Sequence, residues 1–234
     1  MEPELQPNQA VIRTGAGGIA LEQQRVLRNT YLLLALTMVP TVIGALIGIR
    51  TGGIIMQHPI ASFFVMLAAC IGLQFAIAAN RNSSLGVVFL LALTFLLGWF
   101  LGPLLSIALT LKNGPQLIGM AAGGTGLILF VMAGIATTTR RDFSFMGKFL
   151  FVGMIALVIA MVANMFLQIP ALALAISTLV VVVIFSLFLL HDVSRIVNGG
   201  ETNYIMAATG VYMSLFNIFA NLLHLLMALA GERD

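Results

Sequence analysis

Charged residues are scarce in this chain: Asp, Glu, Lys and Arg make up 8 % of its 234 residues, whereas 60 % are hydrophobic. A water-soluble domain of ordinary size could not cover so much apolar surface. The few charges separate seven apolar stretches. Each is close to the roughly 20 residues that a helix needs to cross a hydrocarbon core about 30 Å thick. The sequence therefore predicts a polytopic membrane protein whose surroundings are the lipid bilayer.

Several kinds of chemistry lack the residues they require. The single cysteine, Cys70, excludes an intramolecular disulfide and argues against a cysteine zinc or redox site. The sequence has no HExxH or GxSxG motif and no pair of intramembrane aspartates, so we predict a non-enzymatic protein without a cofactor. No basic cluster exceeds the pair Arg140 and Arg141, which argues against nucleic acid as a partner.

The fold class predicted from these stretches is all-α, because a lipid-exposed backbone must satisfy its own hydrogen bonds. Gln168 and Pro170 divide the long uncharged run 149–190, since proline disfavours helix at the residue before it. Residues 1–28 are predicted to form a flexible polar tail, and residues 231–234 a short C-terminal tail. The seven predicted spans of the domain 29–230 are 29–49, 59–80, 85–109, 116–139, 149–167, 171–190 and 204–229.

The basic residues predict the orientation in the membrane, because cytoplasmic loops carry an excess of Lys and Arg. One side would hold eight: Arg13, Arg25, Arg28, Arg81, Arg140, Arg141, Lys148 and Arg195. The other would hold three: Arg50, Lys112 and Arg233. The N-terminus is therefore predicted in the cytoplasm, and seven spans place the C-terminus outside. In a six-span alternative the last segment is re-entrant and the C-terminus returns to the cytoplasm.

The last predicted span carries Ser214, Asn217, Asn221 and His224 at spacings of three, four and three, which places them on one helix face. One interpretation is helix packing, because Ser and Asn often hydrogen-bond neighbouring helices in membranes. The other is a polar path for ions or protons, with His224 as a proton carrier. The sequence leaves both open.

Asp192 lies two residues after an apolar run that ends at Leu190. A carboxylate at the C-terminal end of a helix faces the negative end of the helix dipole and needs a partner or water. Arg195, three residues later, is a candidate for an ion pair. The alternative is a titratable gate at the cytoplasmic mouth formed by Asp192, with His191 as a second candidate sensor.

Gly98 and Gly102 are four residues apart in the third predicted span. This spacing allows two membrane helices to approach closely, and we interpret it as a packing feature.

Five separated motifs, in order along the chain, resemble the Bax inhibitor family and specifically its bacterial YccA-like branch. They are 25–31 (RVLRNTY), 101–103 (LGP), 138–145 (TTRRDFSF), 199–205 (GGETNYI) and 212–219 (YMSLFNIF). The resemblance covers the chain from about residue 22 to its end. It implies a bacterial inner-membrane protein with seven helices, the last of which is surrounded by the other six.

The resemblance also implies two functions. Some family members are pH-sensitive calcium leaks that pair an aspartate near the end of the sixth helix with one in the seventh. Asp192 matches the first, a weak calcium candidate on its own, but Ser214 stands where the second would be, so the pair lacks one carboxylate. The YccA-like branch is instead associated with the membrane-anchored AAA protease FtsH, whose activity it modulates as a bound, poorly degraded client. Residues 1–28 would suit presentation to that protease.

Overall fold

The computed structural model describes residues 7–139, 141–167 and 181–231, and within these ranges the regular secondary structure is entirely helical. We number the eight helices in chain order. They are α1 (Pro7–Thr51), α2 (Gly53–Gln57), α3 (Pro59–Ala79), α4 (Ser84–Thr110), α5 (Gly114–Thr139), α6 (Met146–Leu167), α7 (Val181–Val197) and α8 (Tyr204–Gly231).

Six segments of these helices are long and apolar enough to cross a membrane. They are Gln23–Thr51, Pro59–Ala79, Ser84–Thr110, Gly114–Thr139, Met146–Asn164 and Tyr204–Ala230. Each overlaps one of the predicted spans, so the all-helical polytopic class is confirmed. The sixth predicted span, 171–190, lies partly outside the described residues, and α7 covers only its second half.

The first helix differs from its prediction at the N-terminal end. We predicted a span that begins near residue 29, but α1 begins at Pro7 and continues without interruption to Thr51. Gly15 to Gly18, which belong to the predicted tail 1–28, lie within this helix. Glycine lowers helix propensity by only about 1 kcal/mol per residue, which does not terminate a long helix. The flexibility of residues 1–28 stays a prediction.

The outer surface of the bundle is apolar. Large side chains such as Phe75, Phe130 and Phe149 are 73 %, 78 % and 77 % exposed. Ile77 is the one buried residue of α3, so most of that helix faces outward. Apolar surface of this extent is unfavourable in water and fits a lipid environment.

Helix α8 occupies the centre of the described bundle and packs against α1, α3, α4, α5 and α7. Its first half is the more buried, with Ile205, Ala208 and Val211 at most 1 % exposed. Tyr212, 2 % exposed, joins three helices. Its hydroxyl lies 2.7 Å from Thr41 Oγ1 of α1 and donates to the Thr94 carbonyl of α4 at 3.4 Å.

Helices α1 and α4 approach closely along glycines. A Cβ atom added to Gly48 would lie 3.0 Å from Gly102 Cα, and one added to Gly98 would lie 2.9 Å from Thr41 Cα. These are backbone atoms that cannot rotate away, so the space permits only glycine. The packing role expected for Gly98 and Gly102 is confirmed. The Trp99 indole adds a link by donating to Thr51 Oγ1 at 2.7 Å.

This contact generates a stability prediction. Gly48→Ala should destabilise the bundle by about 1–3 kcal/mol, the range for overpacking a close contact. Gly72→Ala is the matched control, because it is also a helical glycine but no atom lies within 4 Å of its added Cβ. Equilibrium unfolding in detergent measures the difference. Equal stability of the two variants would contradict the close approach of α1 and α4.

Candidate functional site

The C-terminal end of α7 holds a histidine and a carboxylate in contact. His191 Nδ1 lies 3.1 Å from Asp192 Oδ1, and the two side chains are 11 % and 19 % exposed. Because α7 continues to Val197, more than one turn beyond Asp192, the carboxylate does not lie at the end of the helix as expected from the sequence, and its partner is the imidazole. Both residues had been predicted as gate or sensor candidates.

Two glycines on neighbouring helices make room for this pair. A Cβ atom on Gly147, at the start of α6, would lie 2.8 Å from His191 Nε2. A Cβ atom on Gly210 of α8 would lie 2.7 Å from Asp192 Oδ2. The imidazole and the carboxylate therefore pack directly against backbone on opposite sides. Neither glycine was a predicted site residue, because their role depends on which helices meet in the fold.

Arg195 forms an ion pair with Glu201 and not with Asp192. Its Nη2 atom donates to Glu201 Oε2 and to the Gly200 carbonyl, both at 3.2 Å. Among the described ion pairs, Asp192 takes part only in the contact with His191, so the suggested Asp192–Arg195 pair is wrong. The reason is the chain reversal after α7, which brings Glu201 back to Arg195. Glu201 is the only other acidic residue in 143–231, a signal that could have identified it.

A small polar cavity lies between these groups. Its volume is about 30 Å³, and Asp192, Arg195 and Glu201 line it together with Met206 and Ala207. This volume exceeds the roughly 10–15 Å³ that a cavity needs to hold one water molecule. A single water there would have two carboxylates and a guanidinium as hydrogen-bonding neighbours.

The chain reversal itself is a Schellman motif. Gly199 adopts a φ of 75°, which glycine tolerates without strain, and its N–H donates to the Ile196 carbonyl at 3.3 Å. The N–H of Gly200 donates to the Arg195 carbonyl at 2.8 Å. Both bonds satisfy carbonyl groups at the end of α7. The motif turns the chain so that α8 starts only a few residues later.

Asn203 then caps α8. Its Oδ1 atom accepts hydrogen bonds from the N–H groups of Ile205 at 3.0 Å and Met206 at 3.1 Å, as an N-cap residue does. Its amide donates to the Arg81 carbonyl at 2.8 Å and to Asn82 Oδ1 at 3.0 Å. One side chain thus starts the central helix and fixes it to the loop between α3 and α4.

The loop between α5 and α6 is attached to the same end of the bundle. Ser194 Oγ and Asn198 Nδ2 donate to the Arg141 carbonyl at 3.0 and 3.1 Å, and the Phe143 N–H donates to Ser194 Oγ at 3.2 Å. The motif 138–145 is therefore held against the end of α7, directly before the motif 199–205, and Arg140 lies outside the described residues. Together they close one end of the bundle around Asp192.

Asp142 stabilises the turn that precedes α6. Ser144 hydrogen-bonds this carboxyl group through its side chain and its backbone N–H, which donates to Asp142 Oδ1 at 2.8 Å. These bonds lower the pKa of Asp142 below its ordinary value, and the nearby His191 lowers it further. Asp142 is therefore an ionised surface group near neutral pH.

The predicted polar face of α8 spans three environments. Ser214 is 2 % exposed, one turn from Gly210, whereas Asn217 and Asn221 are half-buried and His224 is exposed. The amides of Asn217 and Asn221 donate to carbonyls of their own helix, Met213 and Asn217, both at 2.8 Å. The face thus runs from the core to the surface of the bundle.

Within the described residues, no group of three His, Cys, Asp or Glu is placed to hold a metal ion.

The sequence of this chain is similar to those of known proteins. Residues 23–231 match the profile described as "Inhibitor of apoptosis-promoting Bax1". The chain is 42 % identical over 206 residues, 88 % of its length and 91 % of the relative, to "Modulator of FtsH protease YccA" of Escherichia coli strain K12.

Two further relatives have similar coverage. "Inner membrane protein YccA" of Escherichia coli O6:H1 is 42 % identical over 88 % of this chain and 91 % of its own length. An "Uncharacterized membrane protein" of Vibrio cholerae is 39 % identical over 92 % and 94 %. The profile match covers most of the described bundle, and on these grounds the chain belongs to the Bax inhibitor family.

Proposed function

We propose that this chain is a non-enzymatic integral protein of the bacterial inner membrane that modulates the membrane-anchored AAA protease FtsH. The observation that carries the proposal is 42 % identity, over 88 % of this chain and 91 % of the relative, to a protein named as a modulator of that protease. A second relative is named as an inner membrane protein. Similarity over nearly the whole length supports a shared function better than a shared motif would.

In the proposed topology the chain crosses the membrane seven times with its N-terminus in the cytoplasm. Six helices have the length and composition of spans, and the predicted span 171–190, whose second half lies in α7, would supply the seventh. Basic positions Arg81, Arg141 and Arg195 lie at the end of the bundle that 198–203 closes, because hydrogen bonds join these segments. By the positive-inside rule, this is the cytoplasmic end.

Helix α1 offers a surface for the protease outside the membrane. Its candidate span begins at Gln23, but the helix begins at Pro7. Residues 7–22 would extend about 24 Å beyond the span at 1.5 Å per residue. In the proposed topology this extension projects into the cytoplasm, where a protease could engage the N-terminal 20 residues.

Deletion of residues 1–20 tests this arrangement. We expect the truncated chain to lose co-purification with FtsH and its effect on client turnover, because the engaged segment is removed. The membrane bundle should keep its unfolding midpoint, since the deletion lies outside the span Gln23–Thr51.

The matched control replaces residues 1–20 with a Gly/Ser linker of the same length. Restored co-purification would indicate that only length matters, whereas continued loss would indicate recognition of the sequence. If the deletion leaves both co-purification and client turnover unchanged, residues 1–20 have no role in protease engagement.

A second candidate function is a pH-sensitive cation or proton leak with Asp192 as its gate. The observation that favours it is that Asp192 Oδ2 points at Gly210, one turn before Ser214 on the same helix. A carboxylate at position 214 would thus lie near Asp192, as a paired gate requires. With serine at position 214, the carboxylate of Asp192 supplies only a small part of the six to eight oxygen ligands that calcium binds.

Calcium-dye flux into proteoliposomes between about pH 6 and 8 tests the leak. Because one carboxylate is missing, we expect little flux in the wild type and a pH-dependent flux in Ser214→Asp. The double variant Ser214→Asp, Asp192→Asn is the control and should lose it. A wild-type leak that survives in Asp192→Asn would exclude Asp192 as the gate.

A further inference from the structure

A cavity of about 500 Å³ lies at the end of the bundle opposite Asp192, between the start of α5 and the end of α8. Its floor is Leu117, which is 5 % exposed. Its outer walls are Met120 and Leu229, which are 59 % and 49 % exposed, and Leu226 completes the apolar lining. The cavity is therefore a groove that opens toward the surroundings of the bundle.

Among the described residues that line this groove, the polar side chains lie at one end. Lys112 and Asn113 line it in the short connection between α4 and α5, and both side chains are exposed. Neither of the ion pairs found among the described residues involves Lys112. Helix α5 starts at the next residue, Gly114, and α8, whose Leu229 and Ala230 also line the groove, ends at Gly231. The opposite partial charges of these two helix ends offset each other, so Lys112 is the charged group among the described lining residues.

The distribution of charge and apolar surface selects one class of ligand. Because α4 and α5 are candidate spans, the connection between them lies near the membrane surface. A ligand that fits must place a negative charge at Lys112 and a hydrocarbon chain along Leu117, Met120 and Leu229. A zwitterionic lipid such as phosphatidylcholine would fill the groove, but its own ammonium group offsets the phosphate charge at the lysine. A free phosphate would satisfy the lysine but not the groove.

We propose that this groove binds an anionic phospholipid, with the headgroup phosphate at Lys112 and Asn113 and an acyl chain between α5 and α8. The site is independent of protease regulation and of any ion leak. Since Leu117 and Leu226 also pack with Leu223 in a hydrophobic cluster, the bound lipid would cover the open side of that cluster.

Native mass spectrometry of the full-length protein tests the site with dioleoyl phosphatidylglycerol, dioleoyl phosphatidylcholine and soluble glycerol 3-phosphate. We expect one phosphatidylglycerol to bind at least about fivefold more tightly than phosphatidylcholine, and glycerol 3-phosphate not to bind. Lys112→Ala should reduce the preference by about fivefold, the effect of one basic residue on an anionic lipid. Met120→Trp, which fills the groove at an exposed position, should weaken both lipids.

Arg50→Ala is the matched control, because Arg50 is an exposed basic residue at the last turn of α1 that does not line the groove. It should bind phosphatidylglycerol as the wild type does. The proposal is overturned if Lys112→Ala keeps the full preference, if Arg50→Ala loses it equally, or if glycerol 3-phosphate binds as tightly as the lipid.

Discussion

The fold depends on the exclusion of water from the bilayer, which obliges polar groups to find partners inside the protein. Tyr212 illustrates this constraint, since its hydroxyl reaches Thr41 of α1 and the Thr94 carbonyl of α4 from the central helix. Asn217 and Asn221 satisfy the same constraint within their own helix, because their side-chain amides donate to backbone carbonyls. Close approach of α1 and α4 at glycine adds packing contacts, which matter because lipid supplies little hydrophobic driving force between helices.

The same constraint explains why the two ends of the bundle differ. At the end near Asp192, the Schellman turn at Gly199 and the cap at Asn203 satisfy the backbone, and the Asn203 side chain also holds the loop between α3 and α4. His191 and Asp192 fit there only because Gly147 and Gly210 have no side chains. The opposite end keeps an apolar groove with Lys112 at its mouth. One end is thus closed by protein groups, whereas the other is open to the membrane.

Span positions could be predicted because bilayer thickness fixes the length of an apolar helix, and the ends of α3, α4, α5 and α8 agree with their predicted spans within a few residues. The start of α1 could not be predicted in this way, because the extent of a helix outside the membrane depends on local helix propensity and not on hydropathy. Asp192 and His191 were identifiable as charges beside a span. The pairing of Arg195 with Glu201 was missed: Glu201 stands out as the only other acidic residue in 143–231, but the contact depends on the backbone reversal between the two residues. Gly147 and Gly210 matter only through the helices that face them.

The central claim is that this polytopic membrane protein acts on a protease through binding and without chemistry of its own. Proteoliposomes that contain purified FtsH and a labelled membrane client, with and without an equimolar amount of this chain, test it most directly. A bound, poorly degraded client competes for the protease, so the account predicts slower client degradation when the chain is present. Identical degradation rates in the two preparations, with the chain correctly inserted and folded, would contradict it.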